Sequence, residues 1–580
     1  MARLNDEVAA LLQEYADLIL LTGGDAFRAR SYEKAARSVG GYHKDIGGLD
    51  LKGLQEIPGV GKSTAEKITE YLGTGRVAAV EKLRAKVPPG VREIMAIPTV
   101  GPKTAALLHA ELGISSVEEL LEAAKAERLG GLRGLGERTA ENIVHGIEVL
   151  RQSGGRVLLN VALEQAEEIV AALADVPGCL RCAYAGSLRR MRETIGDLDV
   201  LAAAEDSAPL MAAVAGLPDV AEVLVRGATK TSVRTVQGVQ VDLRVVPPED
   251  WGAAMVYFTG SKAHNIRLRS RAVKAGLRLS EYGLFEVGSG AKAGSGAKVA
   301  SATEEEVYRA LGLPWIPPTL REDRGEIDAA PAGELPEPVT EQDIRGDLHT
   351  HTDLTDGLAT LEQMLEAAAD RGYKYCAVTD HAPDLAMQRM TDEKMLVQRQ
   401  RIRELDRHYR GMRVLHGTEL NIGPDGGVDW PAEFLAGFDL CVASIHSHFG
   451  ADRETQTRRL IRACENPYVH IIGHPTTRLL GRRPAIDADF DAVYAACART
   501  GTALEINASP ERLDLGDEQI LAARRHGVRF AVNTDAHSTV HLANLRYGIA
   551  TAQRGWLGKD EVINTWPLRR LQGFLRGKRV

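Results

Sequence analysis

Cysteine is scarce: six residues are scattered along 580, and only Cys179 and Cys182 form a CxxC. With no second such pair, the chain has neither a disulfide framework nor a thiolate zinc site, and it fits a reducing compartment. Long apolar runs are also missing. None approaches the roughly 20 residues needed to cross a bilayer, and no cleavage pattern follows the N-terminal stretch MARLNDEVAALLQEYADLILL, where acids interrupt the apolar residues at helical spacing. The expectation is a cytoplasmic, nucleoid-associated protein without a membrane contact. Net positive charge is lacking as well, the formal charge being -8. That total argues against a general polyanion binder, yet Lys262 to Arg278 carries six cations and no acid. The sum therefore conceals a basic stripe.

At 580 residues the chain is too long for one core, and domains of about 100 to 200 residues predict several. Up to about residue 150 the pattern is of short amphipathic helices punctuated by glycine: IPGVGKSTAEKITEYL, IPTVGPKTAALLHAELG and LRGLGERTAENIVHGI. Each repeat opens a helix on an apolar-x-Gly-x-Gly pattern, at Gly59 and Gly61, Val100 and Gly101, and Gly134 and Gly136. Glycine there lets a backbone phosphate approach the partnerless N–H groups of a helix start, a grip that reads no sequence. Three helix-hairpin-helix repeats within about 80 residues predict DNA binding.

From residue 157 helical stretches alternate with β-rich runs. Gly186-Ser187-Leu188-Arg189-Arg190 makes a Gly-Ser turn, and Gly196-Asp197-Leu198-Asp199 follows. On a strand, residues i and i+2 face one side, so Asp197 and Asp199 converge. Asp242, in VQVDLRVV, is a reasonable neighbour on another apolar strand. Three such carboxylates can hold two divalent cations roughly 3.5 to 4 Å apart, one for a primer 3′ hydroxyl and one for nucleotide phosphates.

These runs, with Tyr257-Phe258-Thr259-Gly260-Ser261, make residues 1 to about 320 resemble a family X DNA polymerase, the group of small gap-filling repair enzymes. The resemblance implies Asp197, Asp199 and Asp242 as catalytic ligands of Mg or Mn. It implies that Gly186, Ser187, Arg190, Gly196 and Gly260 help to bind the incoming dNTP, with Ser187 and Arg190 on its triphosphate. Tyr257 and Phe258 would crowd the sugar 2′ position, and Asn265 and Arg269 would lie in the minor groove. The segment from Ile57 to Ile68 resembles the family's lyase domain, with Lys67 aligned to a Schiff-base lysine and Arg28 and Tyr32 to 5′-phosphate contacts. Phe27 and Ser63 depart from the animal members, which carry a polar residue and a lysine there. For Lys67 a lyase role and a plain DNA-contacting cation both stay open.

GSGAK occurs twice near 287 to 300, the mark of a flexible loop tip, and Pro314, Pro317, Pro318, Pro331, Pro336 and Pro338 mark an interdomain linker. Beyond it strand-like and helical runs alternate as in a barrel of β/α units, and this part holds twelve of the sixteen histidines. Seven clusters end its β-rich runs: Asp347 to His351, Asp356-Gly357, Thr379 to His381, Gly417 to Glu419, Ser444 to His448, Gly473 to Pro475 and Asn533 to His537. Imidazole plus carboxylate without thiolate suits Zn, Mn or Fe, and so many ligands imply a multinuclear site. The pattern resembles the polymerase-and-histidinol-phosphatase (PHP) domain, a distorted barrel with a trinuclear centre. By that resemblance the ligands of three Zn or Mn ions are His349, His351, Asp356, His381, Glu419, His446, His474, Asp535 and His537. His448 is adjacent, and Asp380 is expected to orient a ligand. In family X polymerases the domain implies a 3′-5′ exonuclease and cleavage at abasic sites.

The expected architecture is multi-domain. An all-α helix-hairpin-helix region comprises a lyase-like unit (1-85) and fingers (86-150). An α+β nucleotidyltransferase palm (151-246) and a thumb (247-320) follow, then a linker (321-342) and the PHP barrel (343-580). The expected function is gap filling and end processing on gapped or nicked DNA with dNTPs, by a monomer. Two other readings compete: a DNA-binding scaffold with a vestigial polymerase centre and a PHP nuclease, and a small-molecule phosphatase fused to DNA-binding repeats.

Overall fold

The structure is a computed structural model that describes residues 4–578 apart from 43, 96, 98–99, 127, 130–142, 145–146, 148–154, 288–295 and 386–389. Its N-terminal region is helical. Val8, Leu12, Tyr15 and Ile19 recur at helical spacing and form the buried face of the helix Leu4–Leu21. Asp25 caps the next helix, Ala26–Gly40, by accepting from the Phe27 amide, and Asp50 and Ser116 cap two later ones in the same way. One hydrophobic cluster runs from Val8 to Ile147, so the successive helical units share a core.

The α+β part carries strands β1 (Val157–Leu158), β2 (Arg181–Tyr184), β3 (Thr194–Ile195), β4 (Asp197–Ala203), β5 (Val220–Arg226), β6 (Lys230–Thr235) and β7 (Gln240–Val246). Five of them form a sheet in the order β2-β4-β7-β6-β5, in which only β4 and β7 run parallel. Alternation on β4 turns Leu198 and Val200 into the core and leaves the two aspartates on the opposite side.

Next come the helices Trp251–Thr259 and Lys262–Lys274 and an antiparallel sheet of β8 (Leu277–Ser280), β9 (Gly283–Glu286) and β10 (Lys298–Ala300). The proline-rich stretch after it, read from the sequence as a linker, is packed. Leu313, Ile316, Leu320, Ile327 and Ala330 join the core beneath these helices, and Arg321 is fully buried on Glu304 at 2.8 Å. Prolines suit such a segment because it needs few ladder hydrogen bonds and its restricted φ lowers the entropy lost on packing.

The C-terminal part is a parallel sheet in sequential order: β11 (Gly346–Asp347), β12 (Tyr375–Val378), β13 (Arg413–Asn421), β14 (Leu440–Ser444), β15 (Ile471–Ile472), β16 (Ala503–Asn507) and β17 (Phe530–Asn533). A parallel bridge between Thr350 and Ala536 brings its two edges together, leaving a nearly closed barrel. Both faces are buried. Tyr375 and Ala377 join one cluster with Leu571 and Leu575 of the C-terminal helix, while Cys376 and Val378 join another beneath the outer helices. The barrel also reaches the palm, since Leu513 and Tyr547 lie in the palm's core cluster and Arg478 pairs with Glu193 at 2.7 Å.

Candidate active sites

In the palm, the β4/β7 register sets Asp199 directly opposite Asp242 and Asp197 opposite Gln240. The convergence expected from the D-x-D spacing and the third acid is therefore a consequence of one parallel strand pair. Gly186 opens the turn beside them with φ 62°, and a Cβ there would meet Asp199 Oδ2 at 2.2 Å, so glycine is required twice over. Burial, and then the charges of Asp197 and Asp242, push the Asp199 carboxyl up to about 7. Burial pushes Asp242 up too, but hydrogen bonds led by Lys230 outweigh it and hold that carboxyl below its ordinary value. Lys230 Nζ donates to Oδ2 at 2.8 Å and Gln240 Nε2 to Oδ1 at 3.0 Å. Sequence reading passed over both, although Gln240, two residues before Asp242 on β7, was a usable signal; Lys230 reaches Asp242 from β6, where it pairs with Arg244.

Around this triad the expected nucleotide contacts are gathered from two domains. Ser187 and Arg190 follow Gly186 on one turn, and Gly196 is held against Arg156 Nη1, which a Cβ would approach to 3.1 Å. Arg190 is engaged: its Nε donates to Glu322 at 3.0 Å and its Nη1 to the Thr259 carbonyl at 2.6 Å. Tyr257 and Phe258 pack edge to face at 5.1 Å, with the Arg244 guanidinium 4.8 Å from the Phe258 ring. Gly260 ends that helix with φ 67°, and Asn265 Nδ2 donates to the Tyr257 carbonyl at 2.7 Å while its Oδ1 is buried with no hydrogen-bond partner among the described residues. Arg269 follows one turn later, its Nε donating to the Asn265 carbonyl at 3.3 Å.

The helical region presents two glycine-led helix starts. Gly61 and Gly101 are N-caps without a side-chain cap, preceded by Gly59 at φ 82° and by buried Val100. Gly134 and Gly136 lie outside the described residues. Lys67 Nζ donates to Ser63 Oγ at 2.9 Å and sits 5.5 and 5.7 Å from the ring centres of Tyr32 and Tyr15. Arg28 Nη2 donates to Tyr15 Oη at 2.7 Å. Lys67, Arg28 and Tyr32 thus meet around one tyrosine.

In the barrel the strand ends bring all nine expected ligands together. His351, Asp356, His381 and His537 form one group, His349, His351 and Asp535 a second, and His381, Glu419 and His446 a third, each with ligand atoms within 4.8 Å of one another. Glu419 is central: its carboxylate lies 3.0 Å from His381 Nδ1 and His474 Nε2, 3.1 Å from His446 Nε2 and 3.5 Å from His349 and His351 Nε2. Burial opposes its ionisation, yet the surrounding imidazoles, led by His446, hold it well below the carboxylate range. Burial opposes charge on His381 and His537 too. Their carboxylate neighbours, chiefly Glu419 for the first and Asp356 for the second, push them up to about 10 and about 9. Burial and Arg512 push His474 down to about 4. Five ring nitrogens (His349 Nε2, both of His351, His381 Nδ1 and His474 Nδ1) are buried with no hydrogen-bond partner among the described residues. Buried imidazole nitrogens without hydrogen bonds, facing carboxylates in the absence of thiols, are the donor set of a borderline transition metal.

The residue that orients one of these imidazoles is Glu505, which sequence reading missed because LEIN looks like plain core. Its Oε1 accepts from His349 Nδ1 at 2.7 Å and Asn533 at 2.9 Å, and its Oε2 from the His474 amide at 2.7 Å and Asn507 at 3.2 Å. Asp380, expected in that role, instead accepts from Thr352, Thr355 and Gln398 and braces the loop between His351 and Asp356. His448 is exposed and outside the three groups. Arg512 was also missed: its Nε lies 4.0 Å from Asp535, and its Nη1 is buried with no hydrogen-bond partner among the described residues.

Four family models match parts of the chain. Residues 3–77 match a model of a helix-hairpin-helix domain, 91–148 a SAM-like helix-hairpin-helix tandem, 254–322 the DNA polymerase beta thumb and 347–509 the PHP domain. The chain is 30% identical over 323 residues to DNA polymerase lambda of Rattus norvegicus, covering 52% of this chain and 53% of that one. A probable phosphatase of Shewanella sediminis (strain HAW-EB3) matches 38% of this chain and 89% of its own length at 31% identity. DNA polymerase/3′-5′ exonuclease PolX of Bacillus subtilis (strain 168) is 34% identical over 573 residues, 98% of this chain and 99% of that protein. Matched over 98% of its length and 99% of that protein's, this chain belongs to the PolX family, the family X DNA polymerases that carry a PHP domain.

Proposed function

We infer that the chain is a DNA-directed DNA polymerase that fills short gaps during repair and carries a metal-dependent 3′-5′ exonuclease in its barrel. The observation that carries the first half is the Asp199–Asp242 register on adjacent parallel strands, with Asp197 two residues away. Three carboxylates forced together, one with its carboxyl at about 7, fit Mg or Mn. The five buried imidazole nitrogens that face Glu419 and Asp535 without a hydrogen bond among the described residues fit three ions of Zn or Mn. Bound cations supply activation of the attacking hydroxyl or water and neutralise charge on phosphate.

The protein's own groups do the rest. Lys230 and Gln240 hold the Asp242 carboxylate in its ionised, ligand-ready orientation. Ser187 and the Arg190 guanidinium receive the dNTP triphosphate at the turn beside the triad. Tyr257, whose carbonyl accepts from Asn265, and Phe258 beside it crowd the sugar, while Asn265 and Arg269 serve the minor groove of the nascent pair. DNA is held through the backbone amides after Gly61 and Gly101 and by the basic helix Lys262–Lys274. In the barrel Glu505 fixes the His349 tautomer with Nε2 toward the cluster, and Arg512 offers its unsatisfied Nη1 to the scissile phosphate. Among the described residues no helix is long and apolar enough to cross a membrane.

A labelled duplex with a short gap, incubated with Mg or Mn, tests both halves. Extension with dNTPs and 3′ shortening without them is the expected result; shortening under both conditions would leave a nuclease on a DNA-binding scaffold and overturn the polymerase assignment. A third activity is favoured by the placement of Lys67 between Tyr15 and Tyr32 beside Arg28. The amine attacks C1′ of the open aldehyde of an abasic sugar and loses water to form a Schiff base; loss of a C2′ proton then breaks the C3′–O bond, the DNA leaves with a 5′ phosphate, and hydrolysis of the imine frees the unsaturated sugar phosphate and the lysine. Borohydride trapping on a 5′-deoxyribose phosphate end should vanish in Lys67→Ala; trapping that persists would return Lys67 to a plain DNA-contacting cation.

A further inference from the structure

The barrel helix Leu545–Arg554 ends on a side chain that belongs electrostatically to another domain. Arg554 is only 4% exposed. Its Nη1 donates to Glu322 Oε1 at 2.9 Å and to the Arg190 backbone carbonyl at 2.7 Å, and its Nη2 to Asp517 Oδ2 at 2.5 Å. Glu322, at the end of the thumb, is shared. The same Oε1 accepts from Arg190 Nε at 3.0 Å, and Oε2 lies 3.8 Å from Arg192 Nη1. Arg324, two residues on, lies 3.2 Å from Asp517 and 3.5 Å from Glu518.

Arg190 therefore stands at the polymerase turn with its Nε on a carboxylate and its Nη1 on the Thr259 carbonyl, while Nη2 takes part in neither bond. A carboxylate that serves one guanidinium alone neutralises it and holds it fast. One whose oxygen is divided between two guanidinia holds each less firmly and leaves net positive charge in the cluster. The buried part of the network, in which both Arg190 and Arg554 are largely withdrawn from water, is where that division counts most.

We propose that Arg554 is a positioning residue for nucleotide addition. By sharing Glu322 and holding the Arg190 carbonyl, this barrel side chain fixes the Arg190 turn and keeps the Arg190 charge available to an incoming triphosphate. The proposal rests on Arg190 being a triphosphate contact. Removal of the Arg554 charge gives Glu322 Oε1 wholly to Arg190, so the triphosphate must compete with an undivided pair at that oxygen.

The test is single-nucleotide gap filling by the full-length protein, with exonuclease activity and thermal midpoint measured alongside. R554M should raise KM for the dNTP about tenfold, change kcat by less than about threefold and spare the exonuclease. R554M/E322Q should bring KM back to within about threefold of the parent, which a merely structural role for Arg554 would not do. R554K, which keeps a cation but not the fork, should fall between the two, and E322Q alone should leave KM equal or lower. An unchanged KM in R554M, or a raised KM that E322Q does not relieve, overturns the proposal. If R554M does not fold, a KM that rises in E322Q alone or stays at the parent value in R554K overturns it. R190A separates the two levels: an unchanged KM there removes the triphosphate reading itself, whereas a raised KM in R190A with none in R554M removes only the role of Arg554.

Discussion

The palm and the barrel each gather groups able to hold cations, with different inventories. The palm offers three carboxylates and no imidazole, on strands whose aspartates face outward: Asp197 is exposed and Asp199 and Asp242 only half-buried. The barrel offers six histidines and three carboxylates, with His349, His351, His381, His474 and Glu419 buried. Hard oxygen ligands at an open surface suit a labile cation that arrives with the nucleotide. Buried imidazoles suit ions that remain bound between turnovers, because their removal leaves unsatisfied nitrogens and close carboxylates in a poorly hydrated space. The difference teaches that burial and ligand type, rather than ligand number alone, divide an exchangeable centre from a resident one.

The sharpest way to break the comparison is to destroy one centre and read both. Asp199→Ala should cut nucleotide addition by about a thousandfold or more, the scale of losing an essential charge-stabilising group, and leave 3′ shortening intact. His351→Ala should do the reverse; loss of both activities in either variant would mean that the two sites are one functional unit. A smaller effect sharpens the resident half. All four partners of the Glu505 carboxylate are donors, so Glu505→Gln turns an amide N–H₂ toward at least one of them. Metal affinity of the barrel should fall about 10 to 100-fold, seen as loss of bound metal on dialysis against a weak chelator, with gap filling unchanged. Full metal content after that dialysis would show that Glu505 only packs.

Much of this was readable along the chain. Asp197 and Asp199 converge because side chains alternate on a strand, and Asp242 could be placed beside them because its neighbours Val241 and Leu243 are apolar. The gathering of the barrel's histidines and acids was readable because parallel β/α units deliver every strand end to one rim, so position in a unit implies position in space. What escaped were residues whose role depends on a partner far away in sequence. Glu505 meets His349 across 156 positions and Arg554 meets Glu322 across 232, and neither spacing leaves a local period. Asp380 misled because it adjoins His381, while its hydrogen bonds go to Thr352, Thr355 and Gln398. The prolines between 313 and 332 misled because they mark restricted backbone, which a packed segment uses as readily as a linker.

The smallest expected effect concerns the exchangeable centre without its cation. Asp199, pushed up to about 7 by burial and by Asp197 and Asp242, is protonated in the metal-free fold at pH 5 but ionised once unfolded, where an aspartate titrates near 3.8. Between those two values unfolding releases a proton, so this group's contribution to stability is complete below about pH 3.8 and is lost as pH rises through about 7. Asp199→Asn keeps the shape and cannot ionise. In EDTA the variant should therefore match the parent near pH 5 more closely than at pH 8, where it should be more stable by about 1 kcal/mol, a figure reduced from the full shift because solvent reaches the exposed Asp197. Denaturant midpoints at the two pH values measure it, and excess Mg should erase the parent's disadvantage by supplying the missing positive charge. A parent as stable as the variant at pH 8 in EDTA would show that the three carboxylates tolerate one another without a cation, and the palm would then lose the feature that most distinguishes it from the barrel.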